Sequence, residues 1–213
     1  MREGATTPTV AFCRTMAKAM HGFGNLRGST VVGALEVFEQ RYGRAASHEI
    51  VSSLPAEWRG LVKPNVPVMG LLPSKLYPNG FVGEVVRAMA RVTRAPNEDA
   101  FIRELTSAGI DATLGTVHRL ILRWVATPRE YAKRAQDVWD QYHDSGRVTV
   151  LSVTDHEYLV QISEWARHDV TVCKLSLEGR RHLLEKTNIR ITDCRREKCV
   201  AWGHDVCVMR YRW

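Results

Sequence analysis

The chain is expected to be an α+β protein: an N-terminal layer of helices packed on a C-terminal antiparallel sheet. Three observations predict this. Apolar residues recur at helical spacing up to about residue 145. The pattern turns to β-branched alternation after Asp144-Ser145-Gly146. The segments that follow read strand, strand, helix, strand, strand, an order that gives a sheet with helices on one side.

In order along the chain, Thr30 to Tyr42 places Val31, Leu35 and Phe38 on one stripe, with Gly43 as a stop signal. Val82 to Val92 repeats apolar residues at Val85, Met89 and Val92. Asn97 is placed to cap a helix through Phe101 and Leu105, with Gly109 as its end. Asp111 or Thr113 opens a helix with Val117, Leu120, Ile121 and Trp124 on one face. Thr127-Pro128 opens another with Tyr131, Ala135, Val138 and Tyr142 aligned. "RVTVLSV" and "YLVQISEW" form a hairpin across "TDHE". "DVTVCKLSLEGRRHLLEKT" is a helix crossing the sheet, bent near Gly179, and "NIRITDC" and "CVMRYRW" are the last two strands. The expected organisation is an N-terminal helical extension over 1–26 and one sensor- or scaffold-like domain over 27–213, helical over 27–145 and sheet over 146–213.

Composition narrows the function classes. At 213 residues, 45% hydrophobic and 25% charged, the chain has the makeup of a globular protein that buries its own core. No apolar run approaches the ~20 residues of a membrane span, and the N-terminus lacks the apolar stretch of a signal peptide, so a cytoplasmic location is expected. The net charge of +7 is spread among acids, which reads as a solvated surface and makes nucleic-acid binding unlikely. No phosphate loop, repeat or nucleophile–base–orienter pattern is present, so no catalytic residues are assigned and the protein is expected not to be an enzyme.

Three of the five cysteines lie in the last twenty residues, "CRREKCVAWGHDVCVMRYRW". In a reducing compartment grouped thiols point to metal, catalysis or burial before disulfides. The C-x4-C and C-x7-C spacings are not those of tight metal knuckles, and small buried thiols are the competing reading; for Cys13 burial is the default.

The run "TPREYAKRAQDVWDQYHDSGRVTV" with the strands and helix that follow resembles a paralogous family of myxobacterial proteins of unknown function, over residues 25 to 213. The cysteine-bearing end resembles the 4-vinyl-reductase-type small-molecule-binding domain, whose fold is shared with haem nitric-oxide-binding domains and TRAPP tethering subunits. That resemblance implies a structural zinc ion held by Cys173, Cys199 and Cys207, with Arg196 standing where the family has an acid. Cys194 is then the expected fourth ligand, with Glu197 or His204 as alternatives. No histidine here matches the haem ligand of the haem-binding members.

The function expected is a non-enzymatic signalling or regulatory domain that binds a small apolar ligand through some of Trp124, Trp139, Tyr158 and Trp165, residues that can equally fill the core. The alternative is a protein–protein interaction or scaffold module, and a weaker alternative is a nucleic-acid-associated regulator. The strands over 158–165 and 206–213 carry enough apolar surface to predict a homodimer, a docking partner or a covered edge.

Overall fold

The computed structural model describes residues 24–113 and 127–213. Its helical part begins with a short strand β1 (Asn25–Arg27), followed by α1 (Ser29–Ser53), the single turn α2 (Ala56–Arg59), strand β2 (Leu76–Pro78), α3 (Asn79–Val92) and α4 (Glu98–Thr113). After residue 127 come α5 (Pro128–Lys133), α6 (Ala135–Tyr142), β3 (Arg147–Val153), β4 (Glu157–Ser163), α7 (Val170–Glu185), β5 (Asp193–Lys198) and β6 (Cys207–Arg212). The α+β class and the strand, strand, helix, strand, strand order are as expected.

Local chemistry explains the boundaries. Asn97 Oδ1 accepts from Ala100 N at 2.9 Å ahead of α4, and Thr127 Oγ1 accepts from Glu130 N at 3.2 Å at the head of α5. Asp169 caps α7 twice, accepting from Thr171 N at 2.9 Å and Val172 N at 3.0 Å. Gly43, with φ 78° and ψ 168°, leaves the helical backbone and divides α1 into two helical stretches, as its stop signal predicts. Other expectations fail. α7 runs unbroken past Gly179. Residues 25 and 26, placed in a helical extension, belong instead to β1, which pairs antiparallel with β2 through Leu26 opposite Tyr77. The rest of that extension through residue 23, including Cys13, lies outside the described residues, as does the helix expected over Val117–Trp124.

Gly109 is not a helix end. A Cβ there would stand 2.8 Å from Ala34 N and 3.1 Å from Ala34 Cα, so α4 crosses α1 backbone to backbone on small residues. Gly109→Ala is expected to cost about 1–3 kcal/mol by forcing the two helices apart; denaturant unfolding measures it, and an unchanged midpoint contradicts the close crossing.

The four-stranded sheet runs β3-β4-β6-β5, all neighbours antiparallel. Tyr158, Val160 and Ile162 of β4 face Tyr211, Met209 and Cys207 of β6 in direct register, and all six are buried. α7 lies on that face: the Tyr211 hydroxyl donates to Leu177 O at 3.2 Å. This removes the ground for expecting a homodimer. The two strands thought to expose apolar surface are the central strands, and their side chains are covered from within the chain. On exposed positions of the sheet, Arg210 and Arg212 pair with Glu157, and Arg210 also pairs with Glu197. No helix among the described residues is long and apolar enough to cross a membrane.

Candidate functional site

α7 positions both groups of interest. Its residues Cys173, Leu177, Arg180 and Leu184 follow a 4-3-4 spacing and are all buried, so the inner stripe carries one arginine among apolar neighbours. Asp169 ties the head of this helix to α3, accepting from Arg87 Nη1 at 3.2 Å, and the absent side chain of Gly83 makes room for it.

Above this stripe is a cavity of about 300 Å³. Its walls come from α1, α4, α5, α6 and α7, with Ile110, Val138, Trp139, Leu175 and Leu183 giving the apolar surface. The end of α6 is clamped to β1: Asn25 N donates to Asp144 Oδ1 at 2.7 Å and Asn25 Nδ2 to Asp144 Oδ2 at 2.6 Å. Trp139 is fixed by donating from Nε1 to Ser145 O at 2.8 Å and by stacking on His143, ring centroids 3.6 Å apart and planes within 9°. Burial, assisted by the positive charge of Arg180, pushes His143 down to a pKa of about 3, so the ring is neutral. Its Nε2 lies 3.5 Å from Ser176 Oγ and its Nδ1 has no partner among the described residues.

Of the residues expected to bind ligand, Trp139 alone among those described lines this cavity. Trp165 stands edge-on behind Trp139, centroids 4.8 Å apart, and Tyr158 packs between Tyr131 and Tyr211, so both fill the core. Trp124 lies outside the described residues. His143, Arg180 and Thr106, which no sequence pattern singled out, also line the cavity and carry buried polar atoms without partners among the described residues.

The second group sits where α7 begins and β5 turns into β6. His168 Nε2 and the sulfurs of Cys173, Cys199 and Cys207 all lie within 4.8 Å of one another, a set able to hold a metal ion. The sulfurs are 3.8–3.9 Å apart, and His168 Nε2 is 3.4 Å from Cys207 Sγ and 3.7 Å from Cys199 Sγ. A hydrogen bond from Cys173, helped by His168 and by Val200 N, holds the Cys207 thiol below its ordinary pKa, while that same bond and burial push Cys173 up.

Cys194 does not join the set. Five residues before Cys199 on a strand rising about 3.3 Å per residue, it lies roughly 16 Å away. Burial, with Glu178 behind it, pushes its thiol up to about 12. The alternatives fail as well: Glu197 pairs with Arg210, and His204 Nδ1 turns to Cys199 O at 3.1 Å. The missed ligand atom is that of His168, whose only sequence signal is its place one residue before the α7 cap.

No protein-family model and no curated protein matches the chain. Solved structures do. An Fe(II) unliganded H-NOX protein from K. algicida has a TM-score of 0.63 at 12% identity, covering 88% of this chain and 96% of that one. An H-NOX protein from S. oneidensis in the Fe(II)NO ligation state has a TM-score of 0.60 at 11% identity, covering 87% and 98%. A structure solved to probe the function of haem distortion in the H-NOX family has a TM-score of 0.59 at 12% identity, covering 88% and 94%. The fold is therefore that of H-NOX domains, in line with the haem nitric-oxide-binding part of the expected resemblance. The likeness to a myxobacterial paralogous family gains no support. The expected zinc cofactor is corrected: the structures sharing this fold are characterised by Fe(II) and haem, which conflicts with zinc as its cofactor, and the four-cysteine site does not assemble.

Proposed function

We propose that the chain is a non-enzymatic sensory domain that binds a small apolar ligand in the cavity between the helical layer and α7. One observation carries this: a cavity of about 300 Å³ with apolar walls onto which a few buried polar groups converge, the makeup of a small-molecule site. The H-NOX-like fold supports a sensory role.

Haem, which characterises the fold's solved structures, does not fit this cavity. A cavity of about 150 Å³ takes up benzene, so a space of about 300 Å³ suits a ligand of one or two rings and is small for a porphyrin. The one histidine among the described residues that line the cavity, His143, is held by the Trp139 stack. The chain incubated with haemin is expected to show no sharpened Soret band; a stoichiometric one would contradict the small-ligand reading.

The test of that reading is a thermal shift of the full chain against a panel of apolar compounds of about ten to fifteen non-hydrogen atoms. A ligand at a hundred times its Kd stabilises by about 2.7 kcal/mol, which for a chain this long raises Tm by about 5–10 °C. Gly179→Leu, whose side chain would extend past Ile110 and Thr106 into the cavity, is expected to fold and to abolish the shift. No shift in the parent, or the same shift in the variant, contradicts the reading.

For the second group, His168, Cys173, Cys199 and Cys207 replace the expected cysteine set as proposed metal ligands. Cys207→Ala is expected to lower the metal content of the purified chain by elemental analysis and Cys194→Ala to leave it unchanged; equal contents in both variants contradict the assignment.

A further inference from the structure

Arg180 is 6% exposed and lies on the apolar stripe of α7, facing the cavity. A guanidinium stays charged in a protein, and a desolvated charge costs several kcal/mol unless another charge or several good acceptors meet it. The protein supplies neither in full. Arg180 forms no ion pair among the described residues. Its Nη1 points to Met209 Sδ at 3.6 Å, a weak acceptor, and its Nε has no partner among the described residues. The groups that favour its charge are the phenols of Tyr211, Tyr131 and Tyr158, with a side-chain hydrogen bond to Tyr131, and none of them is a carboxylate. The nearby acid on the same helix, Glu178, is taken by Arg103 and Arg181 on another face. Residues 114–126 contain no carboxylate, and Glu3 is the one acid among residues 1–23.

Two further buried atoms without partners line the same space: Thr106 Oγ1 on α4 and Nδ1 of the neutral His143 at the end of α6. A hydroxyl can donate or accept, and a neutral imidazole can present either role through its tautomer. With Ser176 across from His143, the polar atoms bracket the arginine, while Trp139, Leu175 and Leu183 form the apolar remainder.

Granted that the cavity is a ligand site, we infer that its ligand is an anion: a small carboxylic acid with an apolar body, its carboxylate paired with Arg180. A carboxylate matches the planar fork of the guanidinium in charge and geometry, and the cavity has room for little more than an acid with one fused-ring or short-chain body. Pairing would give the buried charge the partner that the chain itself withholds.

The test uses matched acids and amides of the same shape, benzoate with benzamide, 2-naphthoate with 2-naphthamide and octanoate with octanamide. Each is titrated calorimetrically into the full chain at pH 7.5, where the acids are ionised. The pairs that bind are expected to favour the acid by about ten- to hundredfold, the gain of a hydrogen bond to a charged group. Arg180→Gln is expected to bring the ratio to about one while amide binding persists, and Arg180→Lys to retain part of the preference. The parent ratio and the lysine variant decide the matter should the glutamine variant fail to fold. Amides bound as tightly as acids by the parent, or an unchanged preference in Arg180→Gln, overturn the anionic assignment and leave the ligand site standing. No binding of either member of any pair to the folded parent overturns both.

Discussion

Replacing Trp139 with alanine is expected to cost about 3–5 kcal/mol of stability, the range for deleting a large buried aromatic. The ring is 3% exposed and held by three different contacts. It stacks on His143, meets Trp165 edge-on and donates to Ser145 O. Alanine would open the cavity wall, remove the stack and leave the Ser145 carbonyl without that donor. Trp139→Phe keeps an aromatic face but loses the hydrogen bond and one ring of buried volume, so a smaller loss of about 1–3 kcal/mol is expected. Denaturant unfolding of both variants makes the comparison. A loss below about 1.5 kcal/mol for the alanine variant would show that the ring is not the wall described.

Acidification should destabilise the protein through His143. Its pKa is about 6.5 in the unfolded chain and about 3 when folded, held down by burial and then by Arg180. Between those values the unfolded state binds a proton that the folded state refuses. Stability from this group is therefore fully present above pH 6.5 and is lost as pH falls toward 3. At about 1.36 kcal/mol per pH unit, the loss between pH 6.5 and 5 is about 2 kcal/mol. The depressed carboxylates Glu84, Asp111, Glu157 and Glu197 contribute at lower pH, because their unfolded values are near 4. His143→Gln is expected to lower stability at neutral pH and to flatten its dependence between pH 6.5 and 5. The same slope in variant and parent would show that His143 is free to protonate in the folded state.

The order of elements was legible because it rests on local periodicity: Tyr158, Val160 and Ile162 alternate, and Val85, Met89 and Val92 recur by turns. What escaped depended on distance. Gly109 carries the composition of a helix end, yet its absent side chain serves the crossing with α1, a contact across more than seventy residues of sequence. The strands over 158–165 and 206–213 looked exposed because a strand's own pattern cannot tell whether α7 lies upon it. Three of the four close metal-competent residues were named from the cysteines. The fourth, His168, enters through the loop that Asp169 and Arg87 fix to α3, a tertiary placement with no spacing rule behind it. Cys194 was a plausible ligand in one dimension and is excluded by the rise of a strand. Arg180 was the readable omission. Cys173, Leu177 and Leu184 already mark a buried stripe, and an arginine at its next position is the kind of local conflict that accompanies a binding site.

A crystal structure of the full chain with whichever panel compound raises Tm most is the most direct measurement of the ligand-site account. Density is expected inside the cavity, the compound's apolar body against Trp139, Leu175 and Leu183. The same compound bound only at the protein surface, with the cavity unfilled, would contradict it.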